Sequence, residues 1–174
     1  GDRPEMKEKL RVAIAGAGMV IRHHLKAWSR LPEVEVVAIY NRHLDKALTR
    51  AKEFSIPKAY SDLEKMLKKE RPDALDIAVA IEAHREFARI SADYGVAILC
   101  QKPMAPTLRE AEAMVAEIGE RVPFMIHENW RFRPQYRQTA KWIAEEKTGP
   151  IREFRLSTRS SGLITKTEKG IPFA

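Results

Sequence analysis

Five short apolar runs, each followed by a longer stretch with helical spacing, constrain this chain more than any other feature. The runs are LRVAIAG (10–16), VEVVAIYN (34–41), ALDIAVA (74–80), VAILC (96–100) and PFMIHEN (123–129). Each is too short for a stable helix and rich in residues that suit a buried strand. Between them lie an amphipathic stretch reaching about Leu31, then LDKALTRAKEF, SDLEKMLKKE, AHREFARISADY and a segment opening at Thr107. Ser61 with Glu64, and Thr107 with Glu110, have the spacing of capping boxes, and Gly95 marks a helix stop. Steady alternation of strand and helix predicts an α/β fold with a parallel sheet covered on both faces.

The pattern changes near residue 130. WRFRPQYRQTAKWIAEEK predicts a further helix with Pro134 in its first turn, and PIREFRLSTRSS alternates like a half-solvated strand. GLITKTEKGIPFA reads as a loop. One strand cannot make a sheet, so residues 131–174 are expected to begin a second, incomplete domain after a first domain over 1–130. The 174 residues suffice for one well-buried domain, and 44% hydrophobic with 32% charged residues fit an ordinary globular protein. VAIAGAGMVI is too short to span a bilayer. A single cysteine, Cys100, excludes an internal disulfide framework and suits a reducing cytoplasm. The excess of 31 Lys+Arg over 24 Asp+Glu gives +7, which suits nucleic acid or equally anionic small molecules, and because the charges are interspersed along helices each charged run is expected to be a solvated helix face.

Gly16 and Gly18 stand directly after the first strand and before a helix. In that context the first glycine permits a tight turn and the second lets backbone N–H groups approach a pyrophosphate at the positive helix end. The bland alternative is a strand-to-helix turn without a ligand. Ile21 occupies the place where the usual G-x-G-x-x-G/A pattern has a small residue, and a β-branched side chain there is expected to push the helix from the strand and loosen phosphate contact. The second strand ends in Asn41-Arg42 rather than in the acid that binds the ribose of NAD. Neutral Asn41 would not repel a 2′-phosphate and Arg42 would attract one, so NADP is expected over NAD.

Taken together, GAGMVIRHH, AIYNRHLDKA, DALDIAVAIEAHREFA, VAILCQKPMAPTLREAEAM and HENWRFRPQYR resemble the glucose-fructose oxidoreductase / inositol dehydrogenase / rhizopine-catabolism (Gfo/Idh/MocA) family over about residues 10–160. The resemblance implies a Rossmann-type doubly wound sheet followed by a sheet domain that holds substrate and often builds a homo-oligomer interface. It implies an NAD(P)-dependent oxidoreductase acting on a sugar, polyol or related hydroxyl compound. Lys102-Pro103 match the end of the family's Glu-Lys-Pro element, which places Lys102 beside the nicotinamide as the catalytic residue. Gly16, Gly18, Met19, Val20, Asn41, Arg42, His84, Gln101, Lys102 and Pro103 are expected at the cofactor, and Lys102, Asn129 and Arg131 at the substrate. Phe132 and Pro134 complete the match to an Arg-Phe-x-Pro element at the domain junction. Gln101 for Glu, Arg133 for a frequent Asp and Ile21 for Gly or Ala are the departures. The family's downstream Asp/His pair lies beyond residue 174, so the chain is expected to be an N-terminal fragment inactive alone.

Oxidising an alcohol requires a group that accepts the hydroxyl proton, and a lysine does so once desolvation or a neighbouring cation weakens its hold on its own. A glutamate beside Lys102 would oppose that; Gln101 would not, so Lys102 is expected to release its proton more readily. Pro103 suggests a cis peptide at this turn. No histidine spacing suggests a metal site, and His23 and His43 read as surface or capping residues. The arginines and aromatics around Trp130, Phe132 and Tyr136 are expected mainly to pack. The alternative functional reading is a non-catalytic nucleotide-binding sensor or regulatory module, and a third is a nucleic-acid-binding domain using the excess positive charge.

Overall fold

The computed structural model describes residues 9–155 and 157. The strands are β1 (Leu10–Ala15), β2 (Val34–Tyr40), β3 (Lys58–Tyr60), β4 (Ala74–Ile77), β5 (Ala97–Gln101) and β6 (Phe124–His127). The helices are α1 (Met19–Trp28), α2 (Leu44–Phe54), α3 (Leu63–Glu70), α4 (His84–Asp93), α5 (Leu108–Ile118) and α6 (Pro134–Ala144). The six strands form one sheet in the order β3-β2-β1-β4-β5-β6, and every neighbouring pair is parallel. This is a Rossmann-type doubly wound sheet. The chain runs outward from β1 to β3 and then returns past it to β4, so a crevice opens between the carboxyl ends of β1 and β4.

Alternation along each strand divides the core in two. Val12 and Ile14 of β1 face α1 and α2, where Ile21, Leu25, Ala47 and Ala51 bury against them. Ala13 and Ala15 face the other way, into a larger cluster holding Leu63 and Met66 of α3, Ala88 and Ala92 of α4, and Met114 and Ile118 of α5. Small alanines in β1 let the helices sit close on that face.

Two local expectations are corrected, and one element is added. The Ser61–Glu64 box is not the cap of α3: Asp62 caps it, in an extended conformation, accepting from the Lys65 N–H at 2.9 Å. A carboxylate at the positive helix end outbids a hydroxyl one residue earlier. The run ALDIAVA is strand only through Ile77, after which a 3₁₀ turn, Ile81–Ala83, leads into α4. The edge strand β3 went unforeseen, since three residues after a proline are too few to show a period.

Contacts divide the chain into two compact units, Gly1–Asn129 and Trp130–Ala174. In the second, Pro134 opens α6 as expected. Trp130 and Phe132 do not pack as core: they are 41% and 53% exposed. The Arg133 guanidinium lies 3.9 Å from the Trp130 ring centre, a cation–π contact that satisfies the ring without burying it. Residues 151–155 form no strand, since they have no ladder partner among the described residues. The remainder of the alternating segment, apart from residue 157, and the loop after it lie outside the described residues.

Cys100 is fully buried in β5, and burial together with the negative Asp76 pushes its thiol up to about 12. The thiolate is the reactive form. Native protein is therefore expected to leave a thiol reagent unconsumed at pH 8 and to titrate one equivalent after denaturation. Rapid labelling of the native chain would contradict this burial.

Candidate functional site

The turn after β1 is fixed from two sides. The Gly16 N–H donates to the Tyr40 carbonyl at 2.8 Å, tying the turn to the end of β2. Gly16 has φ +114°, and a Cβ built there would fall 2.4 Å from the Ala78 carbonyl oxygen beyond β4. The two strand ends of the crevice approach more closely than any side chain allows. Gly18 differs: a Cβ there meets nothing within 4 Å. It is the N-cap of α1, whose first turn has neither a side-chain cap nor an acidic residue. Uncapped N–H groups behind an open glycine surface suit an anion. Met19 and Val20 flank this opening, 80% and 48% exposed. Ile21 points the other way and is fully buried in the α1/α2 core.

Arg50 of α2 reaches the same turn. Its Nη2 donates to the Ala17 carbonyl at 3.1 Å, and Nη1 pairs with Glu53, which also holds Arg22. The glycine turn thus has a cationic brace that its sequence does not announce. At the end of β2, Asn41 is half-buried and its amide donates to the His43 carbonyl at 3.0 Å, while Arg42 is exposed.

Across the crevice, β5 ends in Gln101, and the Lys102–Pro103 peptide is cis. Lys102 and Pro103 are exposed on the carboxyl edge of the sheet. His84 is 1% exposed, turned inward behind them. Its Nδ1 lies 3.1 Å from the Pro103 carbonyl oxygen and its Nε2 3.3 Å from that of Val79. A neutral imidazole donates from one nitrogen only, so the ring hydrogen-bonds one of these carbonyls and packs against the other, beneath the Lys-Pro turn.

Beneath the edge on the α1 side lies a polar cluster whose members are far apart in sequence. Asp76 of β4 is fully buried. His24 Nδ1 stands 2.9 and 3.0 Å from its two oxygens, and Trp28 Nε1 donates to it at 2.8 Å. His127 Nε2 is 3.5 Å from Oδ1, beyond a good hydrogen bond but close enough for the imidazole to favour the anion. Burial works to raise the Asp76 carboxyl; His127, His24 and Trp28 outweigh it and hold it down at about 2. Ring nitrogens of His24 and His127 and a carboxylate oxygen of Asp76 lie within 4.8 Å of one another, a grouping that chain spacing conceals. Hydrogen bonds occupy most of it.

A cavity of about 600 Å³ opens over this cluster, lined by His23, His24 and Trp28 of α1 together with Gln101, Lys102, His127 and Asn129. The sequence-derived residues Val20, Gln101, Lys102 and Asn129 meet here. Arg131 belongs to the second unit, where its guanidinium lies 5.4 Å from the Phe132 ring centre. Asp76, Trp28 and Arg50 were missed. The signal for Asp76 was present: one carboxylate in an otherwise apolar strand needs buried partners, and His24 and Trp28 are four apart on one helix face.

The fold and its glycine turn define the class, a Rossmann domain of the NAD-binding type. The family model described as "Oxidoreductase family, NAD-binding Rossmann fold" (Gfo/Idh/MocA) matches residues 10–123, and the chain belongs to that family. A D-apiose dehydrogenase of Paraburkholderia graminis is 34% identical over 155 residues, which is 88% of this chain and 41% of that protein. A scyllo-inositol 2-dehydrogenase (NADP(+)) of Bacillus subtilis is 28% identical over 149 residues, 85% of this chain and 45% of that protein. An Agrobacterium radiobacter oxidoreductase solved with NAD+, L-tartaric acid and magnesium superposes with a TM-score of 0.77 at 26% identity, covering 82% of this chain and 42% of the other. The chain spans less than half the length of these relatives. Among the described residues, no helix is long and apolar enough to cross a membrane.

Proposed function

We propose that the protein is an NADP-preferring oxidoreductase that moves hydride between the nicotinamide and a hydroxyl carbon of a sugar or polyol. The observation that carries this reading is the meeting, at one sheet edge, of an anion-ready glycine turn and the Lys102 turn. A nicotinamide cofactor supplies the hydride acceptor. Uncapped N–H groups of α1 hold its pyrophosphate, and Arg50 keeps their turn in place. Arg42 takes the 2′-phosphate, with Asn41 leaving that position uncharged. Lys102 accepts the hydroxyl proton, and Asn129, on the same cavity wall, orients the substrate. Pro103 and His84 keep the lysine turn from drifting, which positioned catalysis requires.

Direct titration with NADPH and NADH tests the cofactor assignment. Arg42→Ala is expected to weaken NADPH binding at least tenfold while leaving NADH binding within about twofold, and Asn41→Asp to reverse the preference. Equal loss of both cofactors in Arg42→Ala would contradict the assigned role. Sugar and polyol turnover by protein spanning the full length of its relatives, with Lys102→Met as the inactive control, tests the catalytic part.

A further inference from the structure

We propose that Gln101 sets the proton of His24, holding the ring neutral with its hydrogen on Nδ1, and that a carboxylate at position 101 would draw a second proton onto the ring. The orientation of the Gln101 amide follows from its neighbour. The backbone N–H of Lys102 lies 2.7 Å from Oε1, and only an acceptor can stand there. The other amide atom, 3.0 Å from His24 Nε2, is therefore the –NH₂. A donor at that distance requires Nε2 to be a bare acceptor. The proton then lies on Nδ1, where it points between the two Asp76 oxygens at 2.9 and 3.0 Å. Each step of the chain from Lys102 N–H through Gln101 and His24 to Asp76 has one donor and one acceptor, with no bond left ambiguous.

The consequence is electrical. With glutamine, the buried group beneath Lys102 carries one negative charge, that of Asp76. A glutamate would still accept from the Lys102 N–H, but its second oxygen would face Nε2 and favour a proton there. Two carboxylates and one imidazolium again sum to one negative charge. Exchange of Gln for Glu at this position thus leaves the net charge of the cluster unchanged, because His24 compensates for it. The side chain at 101 acts on His24 and on the Lys102 backbone. The other titratable groups facing His24 are Asp76 from β4, His127 from β6 with its ring centre 4.9 Å away, and His23 and Lys102 on the same cavity wall. This inference concerns the chain's own protons and stands whether or not the proposed reaction does.

Histidine side-chain ¹H–¹⁵N NMR on the labelled chain tests it, because each protonation state of imidazole has its own nitrogen pattern. The chain has five histidines, and His24→Asn assigns the resonance. At pH 7.5 the wild type is expected to show His24 protonated on Nδ1 alone, and Gln101→Glu to show both nitrogens protonated. A wild-type His24 protonated on Nε2, or on both nitrogens, would overturn the proposal even if no variant folded. So would a folded Gln101→Glu protein in which Nε2 remains bare.

Discussion

Asp76→Ala is expected to lower the unfolding free energy by roughly 3–5 kcal/mol, a large part of what a domain of this size has. The substitution removes the acceptor of Trp28 Nε1–H and of His24 Nδ1–H, leaving both donors beside an empty space. Asp76→Asn should cost less, roughly 1–3 kcal/mol, since its carbonyl still serves one donor while its –NH₂ faces the other. Urea unfolding measures both. The carboxyl also sets an acid limit. Its folded value, about 2, lies below its ordinary 3.8, so its stabilisation is complete above about pH 4 and is lost as pH falls through 2. The interval corresponds to roughly 2 kcal/mol. Asp93 beside Arg121 and Glu117 beside Arg85 are also held low, so the readout is the difference between wild type and Asp76→Asn. That difference should narrow between pH 4 and pH 2; a constant gap would contradict the buried anion.

Gly16→Ala is expected to destabilise by roughly 3–5 kcal/mol, or to prevent folding. The new methyl would lie 2.4 Å from the Ala78 carbonyl oxygen, and backbone cannot yield as a side-chain tip does. The positive φ of +114° adds strain that no neighbour relieves. Gly18→Ala makes the opposite case. Its φ of −71° is ordinary and its Cβ meets open space, so melting should shift by no more than about 2 °C. Two glycines of one motif thus divide the work, one required by the fold and the other open to a ligand.

Much of this architecture can be read from the chain because parallel strands buried on both faces are short, apolar and punctuated by caps. β1, β2, β5 and β6 fall where their apolar runs do, and α2 covers the same residues as its helical pattern. What escaped was set by tertiary context. β3 exists because the edge of β2 offers a ladder to three residues that have no strong preference of their own. The Asp76 cluster joins α1, β4 and β6, and no sequence period links residues 52 and 51 positions apart. The Lys-Pro turn was legible as a motif, with its cis peptide, but the direction of the Gln101 side chain was not. Read along the chain, Gln101 neighbours Lys102; in space its amide spans Lys102 N–H and His24. His84 likewise has the position expected of a ligand-facing residue, yet its ring is committed to backbone carbonyls.

Calorimetric titration of wild-type and Gly18→Ala protein with NADPH and NADH tests the central claim most directly, that the open glycine turn is the site of a dinucleotide. The account predicts saturable one-site binding to the wild type and at least tenfold weaker binding to Gly18→Ala at an unchanged melting temperature, because the added methyl stands where the pyrophosphate must approach. Equal affinity in the two proteins, or no binding of either cofactor to a folded wild type, would contradict it.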